Sequence, residues 1–253
     1  MRTAVVRPRR GVARALAPVA VLALVSALAA GCGDDDSDSD SDGEEQDTPA
    51  AALTADQIAQ AVLQPDNMGE GWTSEPSTDD EGTAPGCLAG VETLTEQLDR
   101  QDRGGTEFSF GEVLTVESTV SAYAEEAAIT AIFDQVQSVI SACTTVTGPD
   151  SDGNEWNVTL ATTDEQVYDD VDDQYSVSGS GTITTPDGVS FDIYLEQTAV
   201  RVGPNVASIS TTDTQSRTTE HQAWAEIAVE RLVDVVEGEE PEPTTAPGPA
   251  DAA

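Results

Sequence analysis

The chain contains no lysine: all ten of its basic residues are arginine, set against 48 aspartates and glutamates, for a formal net charge of −38. A polyanion of this kind repels phosphate, so the partners exclude nucleic acid bound through a basic patch. It repels anionic lipid headgroups as well, so polybasic attraction cannot hold it on a membrane. Aromatic residues are scarce, at 4%, and there is one histidine. That histidine, His221, falls in the first turns of the last expected helix, ahead of Trp224, and reads as an exposed residue rather than a catalytic base. No GxSxG elbow, HExxH pair or Walker loop is present. Carboxylate pairs suited to glycoside hydrolysis carry no information here, because among 48 acids some pair is always available. The expectation is a non-enzyme that needs no cofactor and no metal.

What is present begins with a charged leader. Arg2, Arg7, Arg9, Arg10 and Arg14 precede the apolar run Leu16 to Ala30, which is broken only by Pro18 and Ser26. This is the plan of a secretory signal, and the run is shorter than the ~20 residues a spanning helix needs. Ala29, Ala30 and Gly31 then lead into Cys32, which resembles a bacterial lipobox with Ala29 where leucine is usual and Leu28 one place further back. Residues 1–31 are therefore expected to be a lipoprotein signal peptide, with Cys32 as the lipidation site. A diacylglycerol thioether joined by an N-acyl chain (palmitate-type acylation) would meet the requirement for more than one chain. Cleavage there leaves five arginines against the 48 acids. The expected location is the extracytoplasmic face of the cell membrane, with the membrane as a partner through the anchor.

Residues 32–52 then read as the lipidated cysteine and a disordered acidic tether, too poor in apolar side chains to offset the entropy of ordering. Asp38, Asp40, Asp42 and Gly43 start an EF-hand pattern, but position twelve is Pro49 instead of a bidentate glutamate. Asp150-Ser151-Asp152-Gly153-Asn154 is a second incomplete fragment, and Asp169, Asp170, Asp172 and Asp173 read as a solvated acidic loop. At the other end, residues 237–253 are Pro-rich and expected to be a disordered tail.

Residues 53–236 have the size of one domain. Thr54-Ala55-Asp56-Gln57 is a capping box opening a helix through Leu63, ended by Pro65. Pro65 to Trp72 is a turn whose aromatic folds back onto the domain, and Leu88 to Leu98 is a second helix. After a break at Arg103-Gly104-Gly105, Phe108 to Val116 is extended. Ala124 to Cys143 is the clearest helix, with Ile129, Ile132, Phe133, Val136, Val139, Ile140 and Cys143 on one broad face. Glu155 to Ala161 alternates as a strand. Gln174 to Thr184 and Val189 to Glu196 flank the turn Thr185-Pro186-Asp187-Gly188, with Val189, Phe191, Ile193 and Leu195 inward. A last strand, Val206 to Thr211, precedes a helix, Thr218 to Val236. The fold class is α+β: a twisted antiparallel sheet of about five or six strands packed against helices.

With Cys32 assigned to lipid, Cys87 and Cys143 remain as an even pair in an oxidising compartment, which points to one disulfide. A redox thiol would need a CxxC or a basic neighbour. The strings LTADQIAQAVLQPDNMGEGW, Cys87, SAC at Cys143, Trp156, AVRVG (Ala199 to Gly203) and AWAEIAVERLVDVV, in that order, resemble the actinobacterial PknH-like sensor-domain family. It includes the extracytoplasmic domain of a mycobacterial receptor-like Ser/Thr kinase. The resemblance implies an antiparallel sheet with helices and a cleft for an unidentified ligand. The kinase-linked relative has two disulfides where only one can be matched here, and no kinase domain is recognisable. The expected function is thus a ligand-binding or sensor module of the cell envelope, with a small-molecule or envelope ligand and room for a protein partner. A lipid or glycolipid carrier is the alternative, and a cell-wall hydrolase the third reading. Candidate ligand-binding residues are Trp72, Tyr194 and Arg201, chosen as polar or aromatic groups on loops and on sheet faces without helices.

Overall fold

The computed structural model describes residues 50–78 and 84–249; the leader, Cys32 and most of the acidic segment lie outside the described residues. In chain order the elements are α1 (Ala55–Ala61), α2 (Pro65–Met68), β1 (Thr73–Pro76), α3 (Ala89–Thr95), β2 (Arg100–Phe110), β3 (Leu114–Tyr123), α4 (Glu126–Ala142), β4 (Thr145–Pro149), β5 (Glu155–Thr163), β6 (Asp173–Thr184), β7 (Ser190–Val202), β8 (Asn205–Asp213) and α5 (Thr218–Glu237). The described strands form one antiparallel sheet of eight, in the order β1-β2-β3-β8-β7-β6-β5-β4. The fold is α+β as expected, but with more than five or six strands. The stretch Phe108 to Val116, expected as one extended run, instead spans the turn of a hairpin between β2 and β3, and the other two that were missed are the edges. β1 is four exposed residues ending in Pro76, and β4 ends Gly148-Pro149. Short, proline-terminated edge strands carry little apolar alternation to read, and they guard against pairing with other chains.

Period-two burial sends the two halves of the sheet to opposite helix layers. On β3, Leu114, Val116, Ser118, Val120 and Ala122 are buried, and on β8 Ala207 and Ile209. These side chains meet α1, α2 and α5 in two adjoining clusters, one around Leu232, Val229 and Ile58, the other around Trp224, Phe108 and Met68. On the other face, Val158 and Leu160 of β5, Tyr175 and Val177 of β6 and Ile193 and Ala199 of β7 pack against Phe133, Val136 and Ile140 of α4. The β7–β8 pairing joins the halves.

Several local expectations are corrected. The capping box at Thr54 is present, but α1 stops at Ala61, where Val62 turns extended. Pro65 does not simply end the helix: it opens α2 at the N-terminal position, where its missing N–H costs nothing. Arg231 donates through Nε to Val62 O at 2.9 Å and also to Gln60 O, placing a cation at the C-terminal carbonyls of α1. Gly104-Gly105 is not a break. Both lie inside β2, where a Cβ on Gly104 would come within 2.7 Å of Ile58 Cγ2 and one on Gly105 within 2.8 Å of Ser77 Cβ. The pair lets α1 and the strand exit after β1 approach the sheet. Val189 and Phe191 are not inward but 62% and 40% exposed, while Ile193 is buried, so the hairpin tip runs past the shelter of α4. The Pro-rich segment after α5, expected not to pack, does pack up to residue 249. Ala246 is buried beside Trp72 and Met68, Ala246 N donates to Asn67 O at 2.8 Å, and Asn67 Nδ2 donates to Thr244 O at 2.6 Å. Hydrogen bonds to its backbone, the Thr245 hydroxyl donating to Asp66 O at 2.9 Å and the burial of Ala246 together hold the segment.

Candidate functional site

Where α3 and α4 cover one face of β5, β6 and β7, the other face is open. The register aligns its side chains in three cross-strand rows: Thr159, Ser180 and Tyr194; Ala161, Ser178 and Glu196; Thr163, Ser176 and Thr198. β6 alternates serines on this face with Tyr175, Val177 and Gly179 on the α4 face, so the same strand supplies core to one side and a floor of small hydroxyls to the other. Apart from Ala161 and the ring of Tyr194, these rows carry hydroxyls and a carboxylate. The first half of α5 forms one wall, through Thr218, His221, Gln222 and Glu226, and the loop carrying Glu165, Val167 and Tyr168 forms another. They enclose a groove of about 970 Å³.

The loop wall is tied at both ends. Gln174 accepts from Tyr168 N at 3.0 Å and donates to Glu165 O. Arg201 clamps the far end: Nε and Nη2 donate to Asp173 Oδ2 at 2.8 and 2.6 Å, Nη1 donates to Asp172 Oδ2 at 3.2 Å, and Gly203 N donates to the same oxygen at 2.6 Å. Glu126 lies 3.8 Å from Nη1.

His221 stands at the base of the groove and is buried, at 4% exposure, contrary to the expectation of an exposed residue. Its Nε2 is 3.0 Å from Thr198 Oγ1 and its Nδ1 2.9 Å from Thr211 Oγ1, and Thr198 Oγ1 is 3.3 Å from Ser176 Oγ. Hydroxyls can donate or accept, so both ring nitrogens of a neutral imidazole are satisfied. Burial pushes its pKa down to about 4. The spacing His221, Trp224, Ala225, Ala228 puts it on the inward stripe of α5, a signal present in the sequence. Glu196 accepts from Thr218 Oγ1 at 2.7 Å, and burial raises its pKa while that hydrogen bond works the other way. Among the described residues, Glu165, Glu196 and Glu226 are the charged residues lining the groove, and no arginine lines it.

Of the residues picked from sequence, the structure brings only Tyr194 to this groove. Trp72 is half-buried in the core cluster, its ring centroid 5.3 Å from that of Phe110 and 5.4 Å from that of Trp224. It folds back as expected, but as packing. Arg201 is 6% exposed and is engaged in holding the loop, so it offers no free donor to a ligand. Cys87 and Cys143 form the expected disulfide, their Cα atoms 5.8 Å apart. Cys32 lies outside the described residues. Among the described residues no group of three or more His, Cys, Asp or Glu is arranged to hold a metal. Asp150, from the acidic fragment, accepts from Asp152 N, from the Asn154 backbone and side chain and from Trp156 Nε1. Burial works to raise its pKa, but those hydrogen bonds prevail and hold it at about 2. Its two oxygens build the β4–β5 turn.

At the level of the fold, the architecture matches the resemblance read from the sequence. The particular structure it is similar to is the extracellular domain of PknH from Mycobacterium tuberculosis, with a TM-score of 0.54 and 13% identity over 75% of this chain and 100% of that one. A protein from Mycobacterium smegmatis, an ortholog of Rv0999, is also similar, with a TM-score of 0.39 and 14% identity over 70% of this chain and 95% of that one. No protein-family model matches the sequence, and no curated protein matches it.

Proposed function

We propose that the protein is an extracytoplasmic binding module, lipid-anchored at Cys32, that takes an envelope ligand in the groove between β5–β7 and α5 and presents the occupied domain to a protein partner. The observation that carries this reading is the groove itself, a polar sheet face walled by the first half of α5 and by a loop fixed at both ends. The shared fold with the extracellular domain of a receptor kinase supports a sensing role. His221 supports a role without catalysis: its pKa of about 4 lies far from that of a base poised near neutrality, and no carboxylate orients it. Carriage of acyl chains would need a continuous apolar lining, whereas Leu160, Ala161, Val167 and Val177 are interspersed here with serines, threonines and glutamates. Among the described residues no helix is long and apolar enough to cross a membrane.

Thermal-shift screening against cell-wall fragments tests the reading. A ligand at a hundred times its Kd contributes about 2.7 kcal/mol, which raises Tm by roughly 5–10 °C in a domain of this size. No shift with any fragment, together with no partner on cross-linking in the native envelope, would sink it. For the anchor, Cys32→Ser should release the protein or leave it unprocessed. Unchanged acylated, membrane-bound protein contradicts that assignment.

A further inference from the structure

Resting on the groove reading above, we propose that the occupant is an uncharged saccharide. The floor runs from Ser176 to Ser180 along β6 and from β5 to β7 across it, about 13 Å by about 10 Å at the usual strand spacings. That is a broad floor rather than a narrow slot. Its floor hydroxyls both donate and accept, which suits a ligand whose own polar groups do both. A phosphate or carboxylate ligand would instead demand donors and positive charge. The groove opposes that demand, since among the described residues Glu165, Glu196 and Glu226 line it and no arginine does, so an anionic group meets like charge at close range. The half-buried Glu196 offers acceptor oxygens for charge-assisted hydrogen bonds from sugar hydroxyls. Tyr168 and Tyr194 add aromatic surface with a polar tip, suited to the C–H face of a pyranose beside its hydroxyls. Thr198 is held by His221 and Ser176, so part of the floor is oriented before a ligand arrives, which lowers the cost of binding.

The test titrates the full-length protein with uncharged oligosaccharides of gluco-, galacto-, manno- and arabino-configured units, and with trigalacturonate as the anionic counterpart, using calorimetry and amide chemical shifts. At least one uncharged oligosaccharide should bind and shift amides of β5–β7 and the first half of α5, with trigalacturonate at least about tenfold weaker. Ser178→Trp, at an exposed floor position, should weaken the uncharged ligand at least about tenfold without changing Tm. Glu196→Gln should narrow the gap between uncharged and anionic ligands. Equal or tighter binding of trigalacturonate overturns the proposal. If no saccharide binds but wall-derived peptides shift the same amides, the ligand class is wrong and the groove reading stands. If a saccharide binds with Ser178→Trp unaffected, or nothing shifts these amides, both fall.

Discussion

The two halves of the sheet are closed from opposite sides and by different means. In the β1-β2-β3-β8 half, large side chains are fully enclosed: Trp224, Phe108, Met68 and Leu63 are each at most 1% exposed. Both ends of the described chain are tied to it, Leu53 N and Ala51 O by the Asn205 amide and Ala246 by Asn67. In the β7-β6-β5-β4 half, α3 contributes no fully buried residue, and the disulfide joins the turn before it to the end of α4. That half has its own buried cluster under α4, and the covalent link adds to it where the helix layer buries least. The same half has only one face covered, and the uncovered face is the groove.

The largest effect should come from breaking the buried half. Trp224→Ala removes a side chain with no exposure and should cost about 5 kcal/mol, read as the urea midpoint. A loss under about 2 kcal/mol would mean the cluster is not the main support. Next, reducing Cys87–Cys143 opens a loop with a sequence separation of 56 and should cost about 4 kcal/mol in the chain-entropy model. Hydrogen exchange should rise first in α3, β4 and β5 and later in β2 and β3; equal stability of oxidised and reduced protein contradicts the comparison.

The third effect is pH-dependent and sits where the halves meet. His221 has a folded pKa of about 4 against 6.5 unfolded, so the unfolded chain binds more protons between those values. Stability is full above pH 6.5 and falls as pH drops toward 4, by about 3 kcal/mol. Glu196, with its raised pKa, acts with the opposite sign, so the comparison is between wild type and His221→Gln. The variant's stability should change less across that window, and parallel curves would contradict the burial account. The smallest effect should be truncation after Gly238, which removes Ala246 and its hydrogen bonds to Asn67 for about 1–2 kcal/mol; an unchanged midpoint would show the tail's packing to be neutral.

Elements with a strong period were legible in the sequence. α4 and α5 follow their apolar stripes, the capping box marks α1, and Thr185-Pro186-Asp187-Gly188 marks the β6–β7 turn. Edge strands were not, because β1 buries nothing. Arg201 looked like a free cation on a strand because its partners, Asp172 and Asp173, lie 29 and 28 residues away in sequence and meet it only in the fold. The groove left a fainter trace: the serines of Ser176-Val177-Ser178-Gly179-Ser180 alternate on one face, a pattern that read as a weak strand. It becomes a site only when β5 and β7 extend its rows and α5 stands over them. Tyr194 was found because its face was recognised as lacking a helix; Trp72 was misread because a lone aromatic on a turn looks available until its packing is seen.

The most direct test of the central claim is hydrogen exchange of the intact protein with and without the envelope fragment giving the largest thermal shift. The account predicts protection confined to β5–β7, the loop from Glu165 to Asp172 and the first half of α5. Protection centred on β2 and β3, or none anywhere, would contradict it.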